Sequence, residues 1–180
     1  MVTAPFISDE VISATLDTLN AASPLEAAAR QGRSGRFQPE LTGFVAAFTL
    51  EQRPDAAGIG LFIMLVLYEA FRASAVKVHK ARERVVLRHW RAARDHADAL
   101  RLDVDNPMEL LDDIPESSEP VALQYVIEAL TEVTDDGVQL TDDEFWHLYA
   151  VLRAAIETLH EVATVPPRGR RGQGRVARPA

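Results

Sequence analysis

The chain has 180 residues, 47% of them apolar and 26% charged, with a formal net charge of −8. That is the length and composition of one soluble domain whose core is large enough to fold without a metal or a disulfide. No cysteine is present, which excludes a disulfide scaffold, a thiol nucleophile and Cys-based zinc or iron–sulfur sites.

Nearly every segment reads as helix. Ser8 caps a short amphipathic segment running to Asn20, with Ile12, Leu16 and Leu19 on one side. Ser23-Pro24-Leu25-Glu26 is a capping box with proline at the first helical position, and Gly32 is expected to stop that helix. Residues 32–36 read as a polar loop. Pro39 starts a helix that places Leu41, Phe44, Val45 and Phe48 on one face. Pro54 and Asp55 break the chain, and one long helix is expected over residues 57–100. Its apolar stretch, residues 56–68, is 13 residues long with two glycines. A bilayer needs about 20, so this reads as a buried helix. Gly58 and Gly60 in that stretch read as positions of close helix packing.

Asn106-Pro107 begins a short turn of helix, and residues 115–118 read as a linker. Pro120 starts a helix with Leu123, Val126, Ile127 and Leu130 at helical spacing. Thr141 caps the last helix, with Glu144 completing the box. Its core face is Phe145, Leu148, Tyr149, Leu152, Ile156 and Leu159, and Pro166-Pro167 ends it. No alternating run bounded by turns suggests a strand. The N-terminus has neither a basic region nor a long apolar one, so no leader and a cytoplasmic location are expected.

A repeat at a constant offset of 81 residues organises the chain. The segment from Gln38 matches the segment from Glu119 without a gap. Pro39, Val45 and Glu51 fall on Pro120, Val126 and Glu132, and Leu67-Tyr68, Arg72 and Ala73 fall on Leu148-Tyr149, Arg153 and Ala154. Self-similarity at fixed spacing signals repeated structural units. The expected fold is all-α: a bundle built from two tandem-duplicated helical hairpins, residues 38–76 and 119–157, flanked by the N-terminal helices. Residues 1–164 form a single domain in this reading, and residues 165–180 a disordered basic tail.

Charge is unevenly placed. Residues 72–101 hold nine Lys/Arg against three acids, residues 103–161 hold 16 acids against Arg153 alone, and the tail holds five Arg and no acid. On a continuous helix, Lys77, Lys80, Arg84, Arg88 and Arg91 form a basic stripe roughly 21 Å long. Together with Arg168, Arg170, Arg171 and Arg175 of the Arg/Gly tail it is a candidate interaction surface, toward the acidic half of the chain or toward nucleic acid. On another face of that helix, His79, His89 and His96 share a packing seam, a candidate for pH-sensitive contact because histidine titrates near neutrality.

Glu144-x2-His147 and Glu157-x2-His160 have the spacing of di-metal carboxylate bundles. Both lie on one helix, 13 residues apart and facing about 220° apart, and read as surface residues. No phosphate loop, nucleophile elbow, dinucleotide fingerprint or zinc-protease motif is present.

The expected function is therefore non-enzymatic. The chain reads as a helical interaction, adaptor or regulatory protein that binds an unidentified protein partner or a second copy of itself, with no cofactor, no catalytic residue, no metal ligand and no membrane. The alternatives are a nucleic-acid-associated protein using the basic stripe and tail, and a metal-dependent helical enzyme.

Overall fold

The computed structural model describes residues 6–75, 77–104, 106–133 and 137–164. The all-α class holds. Seven α-helices follow in order: α1 Asp9–Asn20, α2 Pro24–Phe37, α3 Pro39–Thr49, α4 Pro54–Ser74, α5 Glu83–Asp103, α6 Pro120–Thr131 and α7 Asp142–Val162. A 3₁₀ segment, Pro107–Glu116, precedes α6. Two strands of two residues each, β1 Lys77–Val78 and β2 Ala163–Thr164, pair antiparallel, with Lys77 opposite Thr164. The arginine tail expected over residues 165–180 lies outside the described residues.

Local chemistry sets most of the helix starts. Both capping boxes form: Ser23 with Glu26, and Thr141 with Glu144. Proline occupies the first helical position of α2, α3, α4 and α6, where its missing N–H leaves no hydrogen bond unmade.

Helix α7 is the axis of the molecule. It is buried on almost every side, with α3, α4, α5 and α6 packed around it. Helix α1 lies across α4 and α6, and α2 lies against α3 and α4. The core holds Leu41, Ile63, Leu67, Tyr68, Phe71, Leu123, Ile127, Leu148, Tyr149, Leu152 and Ile156. Helix α4 is long and apolar enough by composition to cross a membrane, yet most of it is buried inside the protein.

Two expectations on helix extent are corrected. Helix α2 runs through Gly32 and Gly35 to Phe37. Neither glycine has the positive φ that would end a helix. Buried Ser34 packs this last turn inward, and the stop comes from Pro39, which forces Gln38 out of helical geometry at φ −129° and ψ 55°.

The second correction concerns residues 57–100, which are not one helix. Helix α4 ends at Ser74, Ala75 is extended, and α5 begins only at Glu83. No proline or glycine lies in between. The break is imposed from a distance. The Gln38 side chain donates to the His79 carbonyl at 2.7 Å and accepts from the Ala81 N–H at 2.9 Å, while the His79 N–H donates to the Val162 carbonyl at 2.8 Å. Buried Ala81 completes the anchor. The reversal lays α5 antiparallel along α7, its Ala93 and Ala97 buried. An unbroken helix would have left that surface of α7 uncovered, at the cost of a large apolar area.

Residues that the offset of 81 pairs share local geometry. Gln38 and Glu119 both precede a helix-starting proline, with φ −129° and −132°, and both are buried. Where Gln38 holds residues 79–81, Glu119 holds the N-terminal segment. Its carboxylate accepts from the Phe6 N–H at 2.8 Å, the Ile7 N–H at 2.9 Å and His160 Nδ1–H at 2.7 Å. Tyr68 and Tyr149 are both buried, with Arg72 and Arg153 at 5.8 and 6.0 Å from their ring centres.

Candidate functional site

The two Glu-x2-His pairs of α7 are structural. Expected at the surface, they are drawn inward because neighbouring segments cover α7 on almost every side. Glu144 accepts from Arg53 Nη2 at 2.9 Å and from the Thr141 N–H at 2.8 Å. His147 Nε2–H donates to the Phe48 carbonyl at 2.9 Å, Glu157 accepts from Ser117 and Ser118, and His160 meets Glu119. The Arg53 hydrogen bond holds the Glu144 carboxyl at a pKa of about 2, far below its ordinary 4.5, against the raising effect of burial. Among the described residues, no group of three His, Cys, Asp or Glu is placed to hold a metal ion.

The histidine seam is divided by the chain reversal. His79 sits in the exposed segment before α5. His89 lies on α5, its Nε2 2.7 Å from the Glu161 carboxylate, and His96 is half-buried one further turn pair along. The basic stripe is divided in the same way. Lys77 is on β1 and Lys80 in the connecting segment, while Arg84, Arg88 and Arg91 remain on one exposed face of α5. Part of this charge meets the acidic half of the chain. Arg88 pairs with Glu161, and Arg101 pairs with Asp142 and Asp143. Hydrogen bonds from Arg88 and His89 outweigh burial and leave the Glu161 carboxyl below its usual value.

One surface concavity with a largely apolar wall was not found by reading the sequence. It lies between α1, α4 and α6 and encloses about 410 Å³. Leu16, Ile59, Phe62, Ile63, Tyr125 and Ala129 line it, with Gly58 and Glu132 at its edge. Three helices far apart in sequence make it, so no local pattern marks it. The nearest signal was Phe62, an aromatic on a core helix that remains 42% exposed. Tyr125 presents a neutral phenol, since burial, with Glu132 nearby, pushes its pKa up to about 12.

Charge around this groove has one sign. Asp17 follows Leu16, Asp55 opens α4, and Glu128 and Glu132 end α6, all exposed. Helices α1 and α6 contain no Lys or Arg, and α4 has only Arg72 in its last turn, which pairs with Glu69 at 3.0 Å. Arg53, the nearest preceding base, is occupied by Glu144.

A second concavity, about 330 Å³ between α1, α2 and α4, is walled by Glu10, Thr15, Thr18, Arg30 and Glu69. There Glu69 is already neutralised by Arg72 and by Arg30 at 3.7 Å. Compared with protein families, curated proteins and solved structures, the chain matches none.

Proposed function

We propose that the protein is a non-enzymatic interaction module that captures a basic, amphipathic segment of a partner protein in the groove between α1, α4 and α6. The observation that carries this reading is an apolar groove, with a half-exposed phenylalanine in its wall, set in a rim of acids with no free base among the described residues. Such a groove rewards burial of one or two large apolar side chains, at about 25 cal/mol per Å² of apolar surface removed from water. The surrounding carboxylates select for Lys and Arg next to those anchors, and they speed encounter more than they tighten the final complex. Recognition of this kind is the helix-in-groove mode, with anchors on one side of the ligand helix and charge on its flanks. The two Pro-initiated hairpins are read as a duplication that supplies the rigid wall, and α1 as the flanking helix that closes the groove.

The test uses a fluorescent model helix of leucine and lysine and its leucine–glutamate counterpart, titrated by anisotropy. The basic peptide is expected to bind and the acidic one not to bind. Phe62→Asp should weaken binding at least tenfold while circular dichroism remains unchanged, because Phe62 is not a core residue. Equal binding of both peptides, or full binding by Phe62→Asp, overturns the reading.

A further inference from the structure

The β1–β2 pair joins the segment that follows α4 to the end of α7. Lys77 lies directly opposite Thr164. The chain then continues from Thr164 into residues 165–180, which carry five Arg and no acid. Lys80 and Arg82 follow β1 in the exposed segment, and Arg84 stands in the first turn of α5. The Gln38 anchor adds the end of α2 to the same place. Gln38 grips residues 79–81, so the two residues before it, Arg36 and Phe37, border this segment. Both are exposed, and Phe37 shows 57% of its surface, one of the largest aromatic exposures in the protein.

Acids at this end are few. Glu40 and Glu83 share an open polar concavity with His79, Lys80 and Arg82, and Glu161 is taken by Arg88 and His89. Lys77, Lys80, Arg82 and Arg84 make no ion pair among the described residues. This end therefore carries uncompensated positive charge on a protein whose net charge is −8. It lies at the far end of α4 from the apolar groove, about 24 Å along the helix between Gly58 and Ser74.

We infer that this end of the bundle binds single-stranded nucleic acid. Lys77, Lys80, Arg82 and Arg84 contact successive phosphates, and Phe37 offers a ring on which an unpaired base stacks. Phosphate contacts of this kind give affinity without sequence preference and make it salt-dependent. An exposed ring beside a basic track is the arrangement that single strands use and that a duplex, with its bases already stacked, cannot use. The inference is independent of the groove, because the two surfaces share no residue.

The experiment follows fluorescence anisotropy of a labelled 20-nucleotide oligouridine with the full-length protein at low salt. A duplex of equal length and phosphatidylserine vesicles serve as comparison arms. Lys77→Glu/Lys80→Glu/Arg84→Glu should weaken oligouridine binding more than tenfold and flatten the slope of log affinity against log salt by about 2, at about 0.7 for each phosphate no longer neutralised. Phe37→Ala should weaken binding about tenfold and leave that slope unchanged. A chain ending at Thr164 should retain measurable binding that the triple substitution then removes. All four positions are exposed, and circular dichroism checks that each variant folds. Any of four results overturns the inference: no oligouridine binding, preference for the duplex, binding to vesicles alone, or binding that vanishes with residues 165–180 yet ignores the triple substitution.

Discussion

Glu144 shows how a single side chain does several jobs. It closes the capping box of α7, and it ties that helix to Arg53 at the start of α4. A carboxyl whose folded pKa lies below its unfolded value adds stability above the unfolded pKa, and loses it as pH falls toward the folded one. For Glu144 the window runs from about 4.5 down to about 2. Arg53 is half-exposed, so solvent screening reduces the benefit. Glu144→Gln should therefore lower the urea midpoint of unfolding at pH 7, and the gap to the wild type should close as pH falls to 2.5. A gap that stays constant over this range would assign the stabilisation to packing alone. The box itself was legible in the sequence, because Thr141 and Glu144 stand at the required spacing. The arginine was not, because it comes from 91 residues away. The same holds for Glu119, whose partners Phe6 and Ile7 lie at the other end of the chain and whose partner His160 is 41 residues away.

Helix α4 carries two glycines two residues apart with opposite roles. A methyl group on Gly60 would run into the Thr49 side chain and come within 2.9 Å of Leu148. One on Gly58 would meet nothing within 4 Å. Gly60 is what lets α4 approach α3 and α7 closely, and Gly58 only costs helix propensity. Gly58→Ala should stabilise the fold by roughly 0.5–1 kcal/mol, read as a higher midpoint of thermal unfolding. Gly60→Ala should lower stability by about 1–3 kcal/mol from overpacking, despite the same gain in propensity. Equal effects at the two positions would refute the packing difference. Both glycines read alike in the sequence, because the distinction rests on which face of the helix meets a neighbour. Element boundaries divide the same way. The starts at Pro39, Pro120 and Thr141 follow from local chemistry and were readable. The end of α4 depends on Gln38, 41 residues from the carbonyl it grips, and a run of helix-forming residues gave no sign of it.

For the molecule as a whole, composition and periodicity were enough to establish an all-α fold, because five of the seven helices start with Pro or a capping box and leave strong local signals. The candidate surfaces were legible only in part. Charge segregation along the chain was visible, and folding converts it into two poles: an acidic rim around an apolar groove, and a basic end around β1. The stripe of five bases lost its continuity when the chain turned at residues 75–82. The groove could not be read, since its walls come from positions 16, 58–63 and 125–132. Internal pairing of the two charge zones, at Arg88 with Glu161 and at Arg101 with Asp142 and Asp143, fastens α5 to α7.

The Glu119 anchor has a topological consequence. Phe6 is bound to the same carboxylate as His160, its ring 5.3 Å from the imidazole, and Thr164 follows four residues later. The first and last described residues thus lie on one side of the protein, and whatever sequence precedes or follows them departs from neighbouring points. A Gly/Ser linker of about eight residues, with a mean span of about 16 Å, is long enough to join them. A backbone closed in this way and cut instead at the exposed turn before Pro54 should fold to the same helical content and unfold in one cooperative transition, as judged by circular dichroism. The uncut closed chain should melt at a higher temperature than the linear one, because a cyclic backbone has less freedom to gain on unfolding.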